Sequence, residues 1–571
     1  MDTQVKLRPD THYAPVDQGV YWSRPGGRSF VLSGPPALFG LIDTQHHLLA
    51  RGTSVDELVG VIGSDAARPV LDHIVRTLLA EDMLLDMDAG GTRPDPADAD
   101  TYADVLAYLE AQCRRPYRAF ATIRAAHVHV VGAGPAAENL VRGLAGSAVG
   151  AVTRGDAGTD ADLTVLIDDV EHPIECEGAA GRVLLVTTGS EVANVGVVVD
   201  GPEQLRAMRG AVERFDAWAR REDVGAAPRP LSAVYAGALA ARTVIDALAG
   251  LDAAGNAAVV YGSALECRRL PLRLGEDEAW TETVVDADEV LDRTGEHVTG
   301  AAEELSEDRA DVVDEAGTNL IHERASTLTA RWIGAARWGE DLDLPQLPVA
   351  LATVSPIGDP DTAFLGWGQN RAEAGVDALL AMLRAGAVGA DDPTGAAAGA
   401  GTDSARFLCD GLLRLAGTEL IAAPVAPIDV AEVGTWIIRS LYGIITEYFD
   451  RPLRLWVRQL PGLRWFLVTA TAADGTVLAH EWGPSRQAAT YAALTAVTVR
   501  CQLAEAATGP AIPDGIGTWA VRPATDAQVR QCLRELLDVH AATGHKVTAH
   551  LAGCDPVTGE RPLHAGTVSV R

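Results

Sequence analysis

Residues 132–137, Gly-Ala-Gly-Pro-Ala-Ala, are of a type that can cradle a phosphate, because they join the apolar run Val128 to Val131 to the start of a helix. Backbone N–H groups at a helix N-terminus attract anions, and glycine lets a phosphate come close. Gly132 and Gly134 do not define such a site by themselves. A dinucleotide enzyme needs an acid about twenty residues further on. Asp156 is the one residue near that spacing, in the Gly-rich stretch AVTRGDAG. An adenylating enzyme needs a basic group at the phosphates and an aspartate for magnesium. The turn therefore reads as one used for packing, with nucleotide binding as the alternative.

Other chemistry is sparse in the sequence. Seven cysteines, Cys113, Cys176, Cys267, Cys409, Cys501, Cys532 and Cys554, stand singly, and no Cys-x-x-Cys pair offers zinc the usual spacing. Their scatter suits reduced thiols. Neither His-Glu-x-x-His nor Gly-x-Ser-x-Gly occurs. His46 and His47 share a helical stretch without a carboxylate at ligand spacing, so they read as ordinary histidines and no metal is expected. A net charge of −31 argues against nucleic acid, whose phosphates demand a basic surface. No run of about eighteen uncharged apolar residues suggests a membrane span, and the first residues lack the pattern of a secretory signal. The expectation is a cytoplasmic protein.

The elements that would position any site fall into blocks, since 571 residues exceed one ordinary core. DMDAGGTRPDPADAD at 86–100 reads as a solvated linker, and 390–405 as a flexible loop. The expected organisation is 1–90, a linker and helix at 91–125, an α/β block at 126–275, an acidic connector at 276–330, and a last block at 331–571. The first block opens with strand-like VKLRP, GVYWSR and RSFVLSG, then three helices, the second capped at Thr53-Ser54 and the third at Asp65. The last block holds an internal repeat. WGQNRAEAGVDALLAML from Trp367 and WGPSRQAATYAALTAV from Trp482 share Trp367/Trp482, Gly368/Gly483, Arg371/Arg486, Ala374/Ala489, Ala378/Ala493, Leu379/Leu494 and Ala381/Ala496. The helical stretch Trp436 to Tyr448 reads as a buried helix.

On its strand and helix order, the first block resembles the RiPP recognition element, a PqqD-like winged helix that captures leader peptides. The resemblance implies binding by β-augmentation, with the leader added to a sheet edge beside a helix. The edge would be Arg28, Ser29, Phe30, Val31, Leu32 and Ser33, and the groove helix would offer Leu71, Val75, Arg76 and Leu79. The alternative for each of these apolar residues is a place in the core. The middle block resembles the ThiF-like domain of azoline-forming cyclodehydratases, through the Gly132 turn and the run AGALAARTVIDAL…GSALECRRLPL. Relatives carry zinc-binding Cys-x-x-Cys pairs after a strand that here reads VGVVVDGPEQLRAM, so zinc and adenylating activity are expected to be lost.

The last block, from LDLPQLPVALATVSP onward, resembles YcaO proteins, in which helical acids in Glu-x-x-Glu-Arg and Leu-Thr-Glu-Ala patterns hold ATP and magnesium. Leu380 and Leu383, Thr495, Ala496 and Thr498 stand where two alignments would put those acids. The whole therefore resembles the Ocin-ThiF-like partner proteins, the thiazole-containing bacteriocin maturation family. The fold class expected is α/β multidomain: PqqD-like winged helix, ThiF-like Rossmann-type domain and degenerate YcaO-like domain. The resemblance implies a subunit that is not an enzyme by itself and carries no cofactor. It would bind a precursor's leader and present it to a catalytic YcaO cyclodehydratase subunit that forms thiazolines or oxazolines. An azoline dehydrogenase and a second copy of the chain are further partners to consider; nucleic acid and membrane are not. The alternatives are a fused cyclodehydratase with its own atypical ATP site, an adenylating ThiF-type enzyme, and a structural or regulatory protein that binds no leader.

Overall fold

Strands form where small and β-branched residues recur, and helices where apolar residues repeat at three and four. The computed structural model describes residues 3–27, 29–155, 160–174, 181–189, 191–251, 255–274, 283–285, 290–291, 321–339, 344–387, 396–420, 425–505 and 516–571. Arg28, Asp156, Cys176 and most of 276–330 lie outside them. The chain divides into two units, one of residues 1–212 and 224–272, the other of 213–223 and 273–571. The architecture is mixed α/β with several sheets.

In the first unit, strands His12–Val16, Gly19–Ser23 and Ser29–Ser33 form an antiparallel sheet in that order. Val5–Leu7 pairs instead with Leu84–Asp86. The first of these strands and this last pairing go beyond what the sequence predicted. Helices Ala37–Arg51, Val55–Ile62 and Arg68–Ala80 follow. Ser54 caps the second through its side chain, which accepts from Glu57 N at 3.2 Å. Asp65 does not cap the third; it opens a short 3-10 turn. Val20, Trp22, Leu58 and Leu78 fill the core, each contributing about 1.5–3 kcal/mol by leaving water.

The same unit holds a seven-stranded sheet ordered Glu266–Pro271, Asn256–Tyr261, Ala193–Asp200, Arg182–Thr188, Leu163–Asp169, His127–Val131, Ala151–Arg154. The last four run parallel. Helices Pro135–Ala145 and Leu231–Ala249 pack against each other where Gly143 meets Ala241 at 2.9 Å from the position a Cβ would take. Helix Leu231–Ala249 is long and apolar enough to cross a membrane, counting its Arg242 and Asp246, yet 67% of that window is buried in the unit. It is a core helix here.

The second unit carries the repeat. Strand Phe364–Gly368 leads to helix Arg371–Ala387, and strand Val477–Gly483 to helix Arg486–Glu505. The repeated residues have a steric reason. A Cβ at Gly368 or Gly483 would collide with the first turn of the following helix, at Ala374 and Ala489 respectively. The stretch 396–401, expected to be loop, is strand Ala396–Gly401, paired with His564–Val570. Its lack of side-chain bulk hid it: Gly399 lies 2.6 Å (Cβ position) from Phe407 O of helix Ser404–Leu420, so only tiny residues fit beneath that helix. Trp436–Gly443 and the following turn are amphipathic and not buried. Ile438, Leu441 and Ile445 face inward, whereas Trp436 is 70% and Tyr448 73% exposed.

Candidate active site

Three buried or half-buried acids and five arginines meet around one cavity of the second unit, about 410 Å³ in volume. That size lies in the usual range for small-molecule sites. Helix Arg371–Ala387 supplies Asp377, Leu380, Ala381 and Arg384, at spacings of three and four that put them on one face. Helix Ser404–Leu420 supplies Arg406, Asp410 and Arg414, strand Val477–Gly483 supplies Glu481, and helix Arg486–Glu505 supplies Ala496 and Arg500. Gly517 to Arg522 close the wall.

Asp410 is the most fully paired acid. Arg384 Nε donates to it at 3.0 Å, Arg414 Nε at 3.0 Å and Ala400 N at 2.7 Å, with Thr518 Oγ1 as a fourth donor. Burial pushes its pKa up, but Arg384, Arg414, Thr518 and the Ala400 N–H outweigh it and hold the carboxyl below the ordinary range. Glu481 is different. It accepts from Trp519 N at 3.3 Å. Burial, reinforced by the charge of Asp377, lifts its pKa to about 8 against the pull of Arg414 and the Trp519 N–H. A Cβ at Gly517 would overlap the Glu481 carboxylate, so any larger residue there would have to displace it. Asp377 accepts from Trp367 N at 3.1 Å, and burial raises its pKa despite Arg522 and that N–H. Glu373 lies behind, accepting from Arg522 Nη2 at 3.4 Å.

Asp377 and Glu481 thus share a site where neither charge is fully met, the situation a divalent cation relieves. The arginines outnumber the three lining acids by two, a formal excess of positive charge. Every buried lining atom left without a partner is an N–H donor: Trp367 Nε1, Arg406 Nε and Arg522 Nε. Those three N–H groups are sealed from solvent, so the cavity's character is set by its five arginines and three acids, which suit an anionic, oxygen-rich ligand carrying a cation.

The positions singled out in the sequence fall around this cavity without supplying its acids. Leu380 and Ala496 line it, and Leu383 packs on a neighbouring apolar cluster. Thr495 and Thr498 spend their hydroxyls on their own helix, at Tyr491 O (2.9 Å) and Leu494 O (2.8 Å). Other acids stand near these positions. Asp377 sits one turn before Leu380 on the same face, and Glu481 directly precedes the repeated Trp482. On another helix, Asp410-Gly411-Leu412-Leu413-Arg414 has an acid and an arginine at the spacing of the first and last residues of Glu-x-x-Glu-Arg, with leucine at the second acid's place. A short acid in a half-kept pattern was the signal available.

In the first unit, strand Ser29–Ser33 is an edge of its sheet among the described residues. Ser29, Val31 and Ser33 are exposed, Phe30 half-buried and Leu32 buried. On helix Arg68–Ala80, Leu71 and Val75 belong to the core and do not line an open groove; Leu79 is half-buried, and Arg76 is exposed with Nε on Asp72 O at 3.2 Å. His46 and His47 are exposed. The Gly132–Gly134 turn faces Asp169, at the end of strand Leu163–Asp169, with Asp169 Oδ2 3.6 Å from where a Gly134 Cβ would stand. Asp169, Glu171 and His172 bring possible metal-ligand atoms within 4.8 Å of one another. Asp169 is already bound by Arg229 Nη2 at 3.0 Å to each oxygen, by Glu171 N at 2.9 Å and by Thr188. Burial raises its pKa, but Thr188, the Glu171 N–H and Arg229 overcome this and lower it.

Neither the family models nor the curated proteins searched contain a match. Among solved structures, a heterocyclase in complex with substrate and cofactor overlays 100% of this chain and 94% of its own, with a TM-score of 0.59 at 12% identity. The heterocyclase TruD overlays the same shares with a TM-score of 0.51 at 12% identity. E. coli MccB covers 47% of the chain at a TM-score of 0.33, too loose to carry an argument. The full-length likeness, with charged groups gathered at one cavity, overturns the expectation that the chain is no enzyme by itself. From end to end, the chain has the fold of heterocyclases.

Proposed function

We propose that the chain is a fused, ATP-dependent cyclodehydratase acting on a ribosomal precursor peptide, with an atypical ATP site in the second unit. One observation carries this reading: three acids and five arginines line a single cavity within a heterocyclase fold. The arginines would hold the phosphates, and Asp377 and Glu481 the cation. ATP, when bound, supplies activation of a backbone amide oxygen as a leaving group. The protein's own part is positional. Asp410 fixes Arg384 and Arg414 through one hydrogen bond to each Nε, and Thr518 Oγ1 accepts from Arg414 Nη2, so both guanidinium groups are preorganised beside the cavity. Glu373 does the same for Arg522.

Leader capture is assigned to the sheet edge Ser29–Ser33. Its outward strand face, with Val31 39% exposed, is free to accept an added strand. A heterocyclase with the same fold has been solved in complex with its substrate, which fits a substrate-binding role here. The test is incubation of the purified chain with ATP, magnesium and a Cys-rich precursor peptide. ATP consumption with loss of one water mass per ring is expected. Absence of both, from folded protein that binds the peptide, would overturn the reading.

A further inference from the structure

The first unit carries an apolar feature that its own core does not use. In the sheet of His12–Val16, Gly19–Ser23 and Ser29–Ser33, successive side chains point to opposite faces. Val20, Trp22 and Leu32, with the half-buried Tyr13 and Phe30, face the helices. The other face should then be polar, as on a sheet with one side in water. Its middle row is not. Ala14 stands opposite Tyr21, and Tyr21 opposite Val31. All three are exposed, Tyr21 by 37% and Val31 by 39%. The rows on either side reach the edge strand as Ser29 and Ser33. The apolar row therefore ends at Val31, on a strand that has no outer neighbour among the described residues, with a serine on each side.

A strand added at this edge continues each row, because directly opposed residues share a face with Cβ atoms roughly 5 Å apart. Resting on the reading of Ser29–Ser33 as the peptide edge, we infer that this edge selects an extended segment that is apolar on both faces at its centre. The residue opposite Val31 is apolar and lies on the solvent side. Its two neighbours are apolar and turn inward beside Phe30 and Leu32. The next residue on each side, opposite Ser29 and Ser33, is small or polar. A run of three apolar residues covers the end of the exposed row; a strictly alternating strand leaves Val31 in water. Val31 and Tyr21 are then specificity-determining residues for the peptide, acting from the face turned away from the helices.

The experiment selects a library of random peptides on the full chain, with folded Val31→Pro as the counter-selection. Edge-dependent peptides should be enriched in three consecutive apolar residues flanked by small or polar ones. In such a peptide, changing the middle residue to Thr should weaken binding to wild type about two- to fivefold, the worth of one cross-strand apolar pair. The same change should make little difference to Val31→Thr, which keeps the shape of the side chain and loses its apolar surface. If the edge-dependent peptides alternate apolar and polar residues, or if Val31→Thr shows the same weakening, the selectivity is wrong while the edge stands. If no enriched peptide depends on the edge, the edge reading falls and this inference with it. A concentration-dependent dimer that Val31→Thr abolishes would put a second copy of the chain on the row and overturn its assignment to a peptide.

Discussion

The molecule contains two places where a glycine-edged strand end meets a buried acid, and they have opposite electrostatics. At the Gly132 turn, Asp169 is matched by Arg229, Thr188 and the Glu171 N–H, and its pKa is lowered. At the cavity of the second unit, Asp377 and Glu481 are raised, and three lining N–H donors have no acceptor. The acid of the first cluster is fully paired; Asp377 and Glu481 are not. A buried acid is therefore no sign of a binding site until its partners are counted.

The widest test of this contrast removes one acid from each place. Asp410→Ala and Asp169→Ala each strand buried arginine charge, and each should cost roughly 3–5 kcal/mol in chemical denaturation. Their catalytic effects should differ. Folded Asp410→Ala should lose ATP turnover because Arg384 and Arg414 lose their anchor, whereas folded Asp169→Ala should keep it. Equal loss in both would break the contrast.

Next come Asp377→Asn and Glu481→Gln, which remove the under-paired charges with little change of shape. Each should lower ATP turnover on the order of 100-fold while the melting temperature holds or rises. A drop in melting temperature without a drop in turnover would return both acids to a structural role. Val31→Pro, on the proposed peptide edge, should weaken leader binding about tenfold or more in fluorescence polarisation, since it reshapes the edge and deletes a strand N–H. A folded variant that binds normally would put the peptide elsewhere.

The smallest effect is in pH. The folded state holds a proton on Glu481 up to about pH 8, whereas the unfolded chain releases it near 4.5. Between those values the folded state binds more protons, so stability should fall as pH rises, by at most about 1.4 kcal/mol per pH unit. Glu481→Gln should flatten that slope in melts of the ligand-free protein. Asp169, lowered in the folded state, has the opposite sign: its contribution is present above its unfolded pKa and is lost as pH falls through the folded one.

Much of the local fold was legible from residue pattern. The three helices of the first block, the Ser54 cap, the strand–turn–helix at Gly132 and the paired Trp-Gly repeat all depend on neighbours within a few residues. Strand Ala396–Gly401 was missed because its identity as a strand comes from a helix pressed upon it, and a run of Ala and Gly reads as loop in isolation. Trp436 to Tyr448 was misjudged because apolar spacing does not tell which side chains find a partner.

The sequence by itself determined which side chains could never be ligands: those of Leu380, Leu383 and Ala496 carry no oxygen, in whatever fold. It could not determine that Asp377, Asp410 and Glu481, from two helices and a strand separated by up to about a hundred residues, converge on one cavity. Carboxylate chemistry belongs to the side chain, but its pKa and its freedom to bind belong to the neighbours. Those neighbours are assembled only when distant segments pack and exclude water.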